Sequence, residues 1–297
     1  MQIQQISLSG LKGGRHSLRP SVQLNADGPE GDRLFALIDL KAGRVLRTVE
    51  NPLLVGCEAL WQNGVLAVSI DGSTTTGTPV PTGDMLTLEY WEREVMMQVV
   101  DGPWALPFSR LLGREVVMAR INQPGGVVYG DTVTLVTTSS LRSLAEQLHA
   151  EQLHAEQLHA EQLHAGQGQS AKGHGGTVQC DGGSEKFHDD TGRSGTPLDP
   201  RRFRATFTVG TGNADAYVED SWCGRELDLG QARVLVGEGI PRCAVIDSDP
   251  DTGARGTKLL KTLAATRLKD GDIPFGVYAR VIQPGLVTNG DSAQLLA

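Results

Sequence analysis

The chain has 297 residues and a formal charge of −8, from 27 basic and 35 acidic side chains. Because non-specific nucleic-acid binding needs a basic face, this balance predicts no nucleic-acid partner. The sequence has no run of eighteen apolar residues and no leader-like start. We therefore predict neither a membrane span nor export, and expect a cytoplasmic protein.

The first part of the chain shows the short alternating and apolar runs that are typical of β-strands. Between two such runs, Asn63-Gly64 is a strong hairpin signal, because both residues tolerate positive φ. A helix is predicted at 103–112, ended by Gly113. The predicted strands occupy 3–8, 21–24, 34–40, 45–49, 57–61, 65–70, 85–91 and 95–100. Strands at this spacing are typical of a barrel or a sandwich.

The second part is also rich in strands. A strand at 133–136 leads into a helix beginning near Leu141, which the hydroxyl side chains of 137–140 cap. Further strands are predicted at 203–209, 226–229, 232–236, 243–247, 275–282 and 291–296, with a helix at 258–268. We therefore predict a mainly β fold in two parts, with a few helices.

A tandem repeat stands between these strands. Ala-Glu-Gln-Leu-His occurs four times in succession over 145–164. A five-residue period advances about 500° around a helix, so neither the leucines nor the histidines share one face. This argues for a solvated helical extension and against a metal site. Residues 166–195 hold nine glycines and lack an apolar pattern. We predict a disordered segment there, and with the repeat it forms an insertion at about 145–198.

The sequence has little equipment for ordinary acid–base catalysis. No phosphate-binding glycine motif, GxSxG or HExxH is present. Outside the repeat and the glycine-rich segment, His16 is the one histidine that a Ser-His-Asp or Cys-His site could use. An enzyme of this kind would borrow its chemistry from a cofactor.

Several cations and one thiol lie near predicted turns and could carry such chemistry. Cations at strand ends of an acidic chain could form an anion pocket, although ordinary surface charge explains the spacing equally. Beside Arg242, the thiol of Cys243 could be a thiolate that binds a soft metal. For Cys57 and Cys223 we expect small buried thiols, and for Cys180, inside the glycine-rich segment, we expect no role. The other cations are Lys12, Arg33, Arg201, Arg202 and Arg204.

Six groups of residues, in this order along the chain, resemble a MOSC domain preceded by the β-barrel of the mitochondrial amidoxime-reducing component and its bacterial relatives. The resemblance covers nearly all of the chain except about 150–196. It implies an N-terminal β-barrel domain at 1–122 and a MOSC β-barrel domain at 123–297. The groups are Leu11-Lys12-Gly13-Gly14; Gly31-Asp32-Arg33 with 34–39; 135–141; Arg202-Phe203-Arg204 with 217–222; Arg242-Cys243 with 249–253; and Phe275-Gly276 with Pro284-Gly285 and Gly290-Asp291.

The resemblance also implies a molybdenum-cofactor oxidoreductase. Cys243 would be the catalytic residue and would coordinate the molybdenum of Mo-molybdopterin. The substrate would be a small N-hydroxylated molecule, and electrons would come from a separate donor protein, because the chain has no ferredoxin-type C-x₄-C-x₂-C spacing. The cofactor would be held by Lys12, Arg33, Thr137, Ser140, Arg202, Arg204, Thr206 and Arg242.

The sequence departs from the family pattern at two places. Gly13 replaces a serine that the family often has, and Ala205-Thr206 replaces Pro-Asn. Two alternatives therefore stay open. One is a carrier that holds the cofactor or a persulfide on Cys243 and transfers it without turnover. The other is a binding module that has lost activity.

Overall fold

The structure is a computed structural model, and it describes residues 1–91, 93–167 and 198–296. The segment 166–195, for which disorder was predicted, lies almost wholly outside the described residues. Cys180 is part of it and also lies outside them. The described ranges contain three α-helices: α1 (Ala105–Leu112), α2 (Thr138–Gln167) and α3 (Leu259–Arg267). None of these helices is long and apolar enough to cross a lipid bilayer.

The prediction of a mainly β fold is confirmed, since strands account for 43% of the structure. The strands, in chain order, are β1 (Gln2–Leu8), β2 (Ser17–Arg19), β3 (Ser21–Asn25), β4 (Gly28–Pro29), β5 (Phe35–Asp39), β6 (Arg44–Val45), β7 (Glu58–Gln62), β8 (Val65–Ile70), β9 (Ser73–Gly77), β10 (Val80–Tyr90), β11 (Arg93–Asp101), β12 (Val117–Ile121), β13 (Val133–Thr137), β14 (Phe207–Gly210), β15 (Glu226–Leu229), β16 (Ala232–Pro241), β17 (Pro274–Gln283), β18 (Gly285–Thr288) and β19 (Ala293–Leu295).

The largest sheet joins the start of the chain to its second half. Its eight strands follow the order β19-β15-β16-β17-β13-β14-β1-β2. Strand β1 pairs antiparallel with β14, and β3 pairs antiparallel with β18 in a separate three-stranded sheet. The first 25 residues are therefore built into sheets with strands from the second half. The domain boundary at 122/123 stays a prediction.

The rest of the N-terminal part is strand-rich, as expected. One sheet follows the order β10-β11-β12-β5-β6, and another is formed by β7, β8 and β9. Between them lies a buried apolar cluster that contains Phe35, Trp104 and Phe108, each at most 1% exposed. Helix α1 contributes Phe108 to this cluster and ends, as predicted, at Gly113, which is left-handed at φ 64°.

Three segments predicted as strands contain turns. In 45–49 the strand stops at Val45, and the chain turns where the Glu50 amide donates to the Arg47 carbonyl at 3.2 Å. Residues 243–247 form a 3-10 turn, Ala244–Asp247, with Ile246 buried. A short apolar run cannot separate a strand from a turn that buries one residue.

In 203–209 the strand begins late for a local reason. Asp199 accepts a hydrogen bond from the Arg201 amide at 2.8 Å, and Pro200 opens a 3-10 turn, Pro200–Phe203. Proline has its φ fixed near the helical value, so it favours this start. Arg204 ends the turn in the left-handed region at φ 53°. Strand β14 therefore starts at Phe207.

The repeat is helical, as predicted, and its first copy packs into the fold. Leu148 is 6% exposed and belongs to a buried cluster with Leu144. Glu151 accepts a hydrogen bond from the Thr262 hydroxyl of α3 at 2.8 Å. By contrast, Leu153 is 46% exposed. Helix α2 therefore leaves the body of the protein at about the second copy of the repeat.

Two matched substitutions test where the repeat leaves the fold. Leu148→Ala should lower the free energy of unfolding by about 2–4 kcal/mol, because it removes a buried leucine side chain. Leu153→Ala should change it by less than about 0.5 kcal/mol, because that leucine is half exposed. Urea unfolding followed by circular dichroism measures both. Equal losses in the two variants would contradict the packing described above.

Candidate functional site

Three cations from two distant parts of the chain, Lys12, Arg33 and Arg204, lie close together near the end of strand β1. The Arg33 amide donates to the Ser9 carbonyl at 2.6 Å, which holds the loop carrying Arg33 against the end of β1. Arg33 Nη2 donates to the Arg204 carbonyl at 3.3 Å. Arg204 Nη1 in turn donates to the Gly14 carbonyl at 2.8 Å, beside Lys12. Of the residues predicted to bind the cofactor, the structure brings Lys12, Arg33 and Arg204 together.

The two arginines share an uncommon backbone conformation. Arg33 has φ 48° and Arg204 has φ 53°, both in the left-handed region that favours glycine. A side chain there costs on the order of 1 kcal/mol and persists only where surrounding contacts hold it. Here those contacts are the hydrogen bonds between the two halves of the chain. Such backbone strain concentrates at functional sites.

The cations carry more charge than the neighbouring carboxylate balances. Burial, with repulsion from Arg33 and Arg204, lowers the pKa of Lys12 to about 7. Burial, with repulsion from Arg33, lowers the pKa of Arg204 to about 9. Asp32 forms an ion pair with Arg33 and raises both values, but not enough to restore them. The cluster therefore favours an anion that would approach it.

Arg242 is fixed beside Cys243 by aromatic packing and backbone contacts. Its Nε donates to the Phe275 carbonyl at 2.8 Å, and its Nη1 donates to the Phe203 carbonyl at 2.7 Å. The two phenylalanine rings stack with centroids 4.3 Å apart. Within the described ranges, the buried Nη2 of Arg242 has no hydrogen-bond partner. Burial lowers the pKa of this guanidinium to about 10.

The thiol of Cys243 is exposed and lies within electrostatic reach of these cations. The charge of Cys243 raises the pKa of Lys12, of Arg204 and of Arg242. No group of three or more His, Cys, Asp or Glu side chains that could hold a metal occurs among the described residues.

The other thiols differ from each other. Cys57 is buried, as expected, and burial followed by the charge of Asp71 raises its pKa to about 12. Cys223 is exposed, which corrects the expectation of a buried thiol. It follows the 3-10 turn Val218–Trp222, in which Trp222 occupies the buried position at 2% exposure.

A small cleft opens next to the cation cluster. Arg202 lies in it, 5% exposed, and its Nη1 donates to the Ser248 carbonyl at 2.7 Å. Among the described residues this is the one hydrogen bond of the Arg202 guanidinium. The cleft is lined by His16, Val55, Arg201, Arg202, Arg204, Val245, Ser248 and Pro250.

Two predicted cofactor contacts, Thr137 and Ser140, are engaged inside the fold. Both hydroxyls donate to Glu219 Oε2 at 2.7 Å. Thr137 also caps α2, since its Oγ1 accepts from the Ser140 amide at 3.3 Å. The helix therefore starts at Thr138, three residues before the predicted Leu141. Burial raises the pKa of Glu219, whose Oε1 has no partner among the described residues.

The third predicted hydroxyl contact, Thr206, is also committed within the sheet. Its Oγ1 accepts from the Thr134 amide at 3.2 Å, and its amide donates to the Thr134 hydroxyl at 2.9 Å. These bonds tie β13 to the start of β14. At 1% exposure, Thr206 is buried. Its contact with a cofactor stays a prediction.

Sequence reasoning missed two residues of the cluster. Tyr90 lies beside Lys12, whose Nζ is 5.2 Å from the ring centroid. His16 is 2% exposed and has its Nε2 3.3 Å from Arg33 Nη2. Nothing in the local sequence signals the tyrosine, which comes from the distant hairpin β10–β11. His16 could have been found from the sequence, because it is a single histidine that stands four positions after Lys12.

The comparisons with known proteins agree with the resemblance seen in the sequence. Residues 182–294 match the family model described as the MOSC domain. The match indicates a MOSC domain in this part of the chain. Such domains are associated with the molybdenum cofactor, and some of the proteins that contain them are oxidoreductases. The search of curated proteins finds no match.

Solved structures give weaker likenesses. The YuaD protein from Bacillus subtilis is 10% identical with a TM-score of 0.40, over 99% of this chain and 94% of that one. YiiM from Geobacillus stearothermophilus is 23% identical with a TM-score of 0.27, over 35% of this chain and 46% of that one. The domain assignment therefore depends on the family model.

Removing one charge should relieve the repulsion in the cluster. The pKa of Lys12 is about 7 in the folded chain against 10.5 ordinarily, so between these values the unfolded chain binds more protons. Stability should therefore rise with pH over this range, and the full penalty should be present below pH 7. Lys12→Met should raise Tm by roughly 2–6 °C at pH 6 and by less at pH 9.

Differential scanning calorimetry in a buffer without phosphate or sulfate measures this effect. The exposed Lys261→Met is the matched control, and its Tm should stay within about 1 °C of the parent at both pH values. A Tm of Lys12→Met that is lowered equally at pH 6 and pH 9 would contradict the repulsion.

Proposed function

We propose that the chain binds Mo-molybdopterin, with the Cys243 thiolate as a molybdenum ligand, and reduces small N-hydroxylated compounds. The observation that carries the proposal is the exposed Cys243 thiol beside the half-buried cations Lys12, Arg204 and Arg242. When bound, the cofactor would supply removal of the hydroxyl oxygen, in which two electrons and two protons yield the reduced nitrogen compound and water. The proposal is consistent with the MOSC domain.

The residues of the site fit an anionic cofactor. The pKa of Lys12 and the pKa of Arg204 are lowered because burial and mutual repulsion disfavour their charges, and a phosphate would offset both effects. Arg242 Nη2 is a buried donor with no acceptor among the described residues, so an anionic group beside Cys243 could supply one. Guanidinium groups match phosphate with two parallel hydrogen bonds, so Arg202 and Arg204 suit the phosphate end of such a cofactor.

Each part of the site then has a distinct task. Lys12, Arg33 and Arg204 bind anionic groups of the cofactor, while Arg242 donates beside the thiol of Cys243. The remaining predicted contacts hold the strands and the helix around the site in place. Thr137 and Ser140 hold the start of α2 through Glu219, and Thr206 holds β13 against β14.

Electrons would come from a separate donor protein. The described residues hold no group of three or more His, Cys, Asp or Glu side chains that could bind a metal. The exposure of Cys243 leaves the reacting side of the site open to a small substrate. The same exposure favours the alternative function, a carrier that delivers the cofactor or a persulfide from Cys243 to another protein.

A pair of thiol variants tests the proposal. The chain and its variants are produced in a host that makes the molybdenum cofactor, and molybdenum is measured by mass spectrometry. Reduction of hydroxylamine and of benzamidoxime is followed with a reduced viologen dye. Cys243→Ser should lower this rate by about a hundredfold or more, because it removes a metal ligand. The matched control Cys223→Ser, at another exposed thiol, should keep the parent rate.

The outcomes separate the candidate functions. Stoichiometric molybdenum with turnover that depends on Cys243 supports the oxidoreductase. Molybdenum without turnover overturns the oxidoreductase and supports the carrier of cofactor. A chain that binds no molybdenum in such a host overturns both.

A further inference from the structure

Among the described residues one histidine lies near the site, and it is buried against a cation. His16 is 2% exposed, and its Nε2 lies 3.3 Å from Arg33 Nη2. A guanidinium nitrogen can only donate a hydrogen bond. Nε2 must therefore be the unprotonated, accepting nitrogen of a neutral imidazole.

The other ring nitrogen fixes the same tautomer independently. His16 Nδ1 lies 3.3 Å from Ser7 Oγ, and Ser7 Oγ donates its own proton to the Ala205 carbonyl at 2.7 Å. Because the hydroxyl has one proton, it must accept from Nδ1–H. The donor and the acceptor are thus fixed in each hydrogen bond from Arg33 through His16 and Ser7 to Ala205.

The surrounding charges also require a neutral ring. Burial and the positive charges of Arg204, Arg33 and Lys12 lower the pKa of His16 well below its usual value. A lysine or a charged histidine at this place would add a fourth cation. An apolar residue would leave Arg33 Nη2 without this acceptor, with only the Arg204 carbonyl at 3.3 Å remaining.

We propose that His16 is a positioning residue, whose neutral imidazole, oriented by Ser7, holds the Arg33 guanidinium in the cation cluster so that the cluster can bind an oxyanion. Asp32 already pairs with Nη1 of this guanidinium and brings one negative charge. The imidazole supplies an acceptor for Nη2 without adding a second negative charge. His16 therefore helps to hold Arg33 without further weakening the attraction of the cluster for anions. This role concerns the anion-binding part of the proposed function and does not require turnover.

The test measures binding of inorganic phosphate to the cofactor-free full chain. Phosphate is titrated at constant ionic strength against chloride, and the rise in Tm is converted to an affinity. His16→Leu should weaken phosphate binding by about tenfold, the loss of one hydrogen bond to a charged group. His16→Gln places an amide oxygen near the Nε2 position and should stay within about threefold of the parent. His154→Leu, at an exposed histidine of the repeat, is the matched control and should not change binding.

A second readout reports the tautomer directly. Long-range ¹⁵N–¹H spectra of histidine-labelled chain should show His16, assigned by its absence in His16→Gln, as the neutral Nδ1–H form at pH 7. Ser7→Ala should make this tautomer less dominant and weaken phosphate binding less than His16→Leu does. It also serves as the test should His16→Leu fail to fold.

Three results would overturn the proposal. In the first, His16→Leu binds phosphate as tightly as the parent. In the second, His16→Gln binds phosphate as weakly as His16→Leu. In the third, the His16 ring is charged, or carries its proton on Nε2, at pH 7. Failure of the chain to bind molybdenum, with His16-dependent phosphate binding retained, would overturn the proposed function and leave this role of His16 intact.

Discussion

Two arginines, one from each half of the chain, hold the site together through reciprocal contacts with backbone carbonyls. Arg33 donates to the carbonyl of Arg204, and Arg204 donates to the carbonyl of Gly14. Neither contact would form if strand β1 did not lie beside β14 in the large sheet, because that pairing brings the loop after β1 against the turn before β14. Both arginines have a left-handed backbone, so the contacts also offset local strain.

The same contacts explain why cations can be buried so close together. Backbone carbonyls satisfy the guanidinium donors but bring no negative charge, so the repulsion among the side chains is not cancelled. It is visible in the pKa of Lys12, at about 7, and in that of Arg204, at about 9. A fold that paired each cation with a carboxylate would be more stable without a ligand and would bind an anion less well. The unbalanced charge of the cluster therefore lowers the stability of the free chain and favours anion binding, a compromise common at binding sites.

Much of this arrangement could be predicted from the sequence, and the exceptions have physical causes. The mainly β class, the helix near Phe108 and the candidates Lys12, Arg33 and Arg204 followed from local patterns and ordered motifs. The turn at 243–247 did not, because a short apolar run in a loop resembles a strand. The hydrogen bonds of Thr206 to Thr134 were not predicted, because a hydroxyl can satisfy a neighbouring strand as readily as a ligand. The pairing of β1 with β14 joins residues about 200 positions apart, and no local pattern reports such a contact.

The division of the site into a buried charged part and an exposed thiol constrains how it can work. Backbone carbonyls and the neutral His16 hold the guanidinium groups of Arg33 and Arg204. Cys243 precedes a short 3-10 turn, and its thiol is exposed. The groups that would bind an anion and the reactive thiol are therefore different residues, although they act on each other through their charges. Replacing Cys243 should remove chemistry while leaving phosphate binding in place, whereas replacing His16 should weaken anion binding while leaving the thiol accessible.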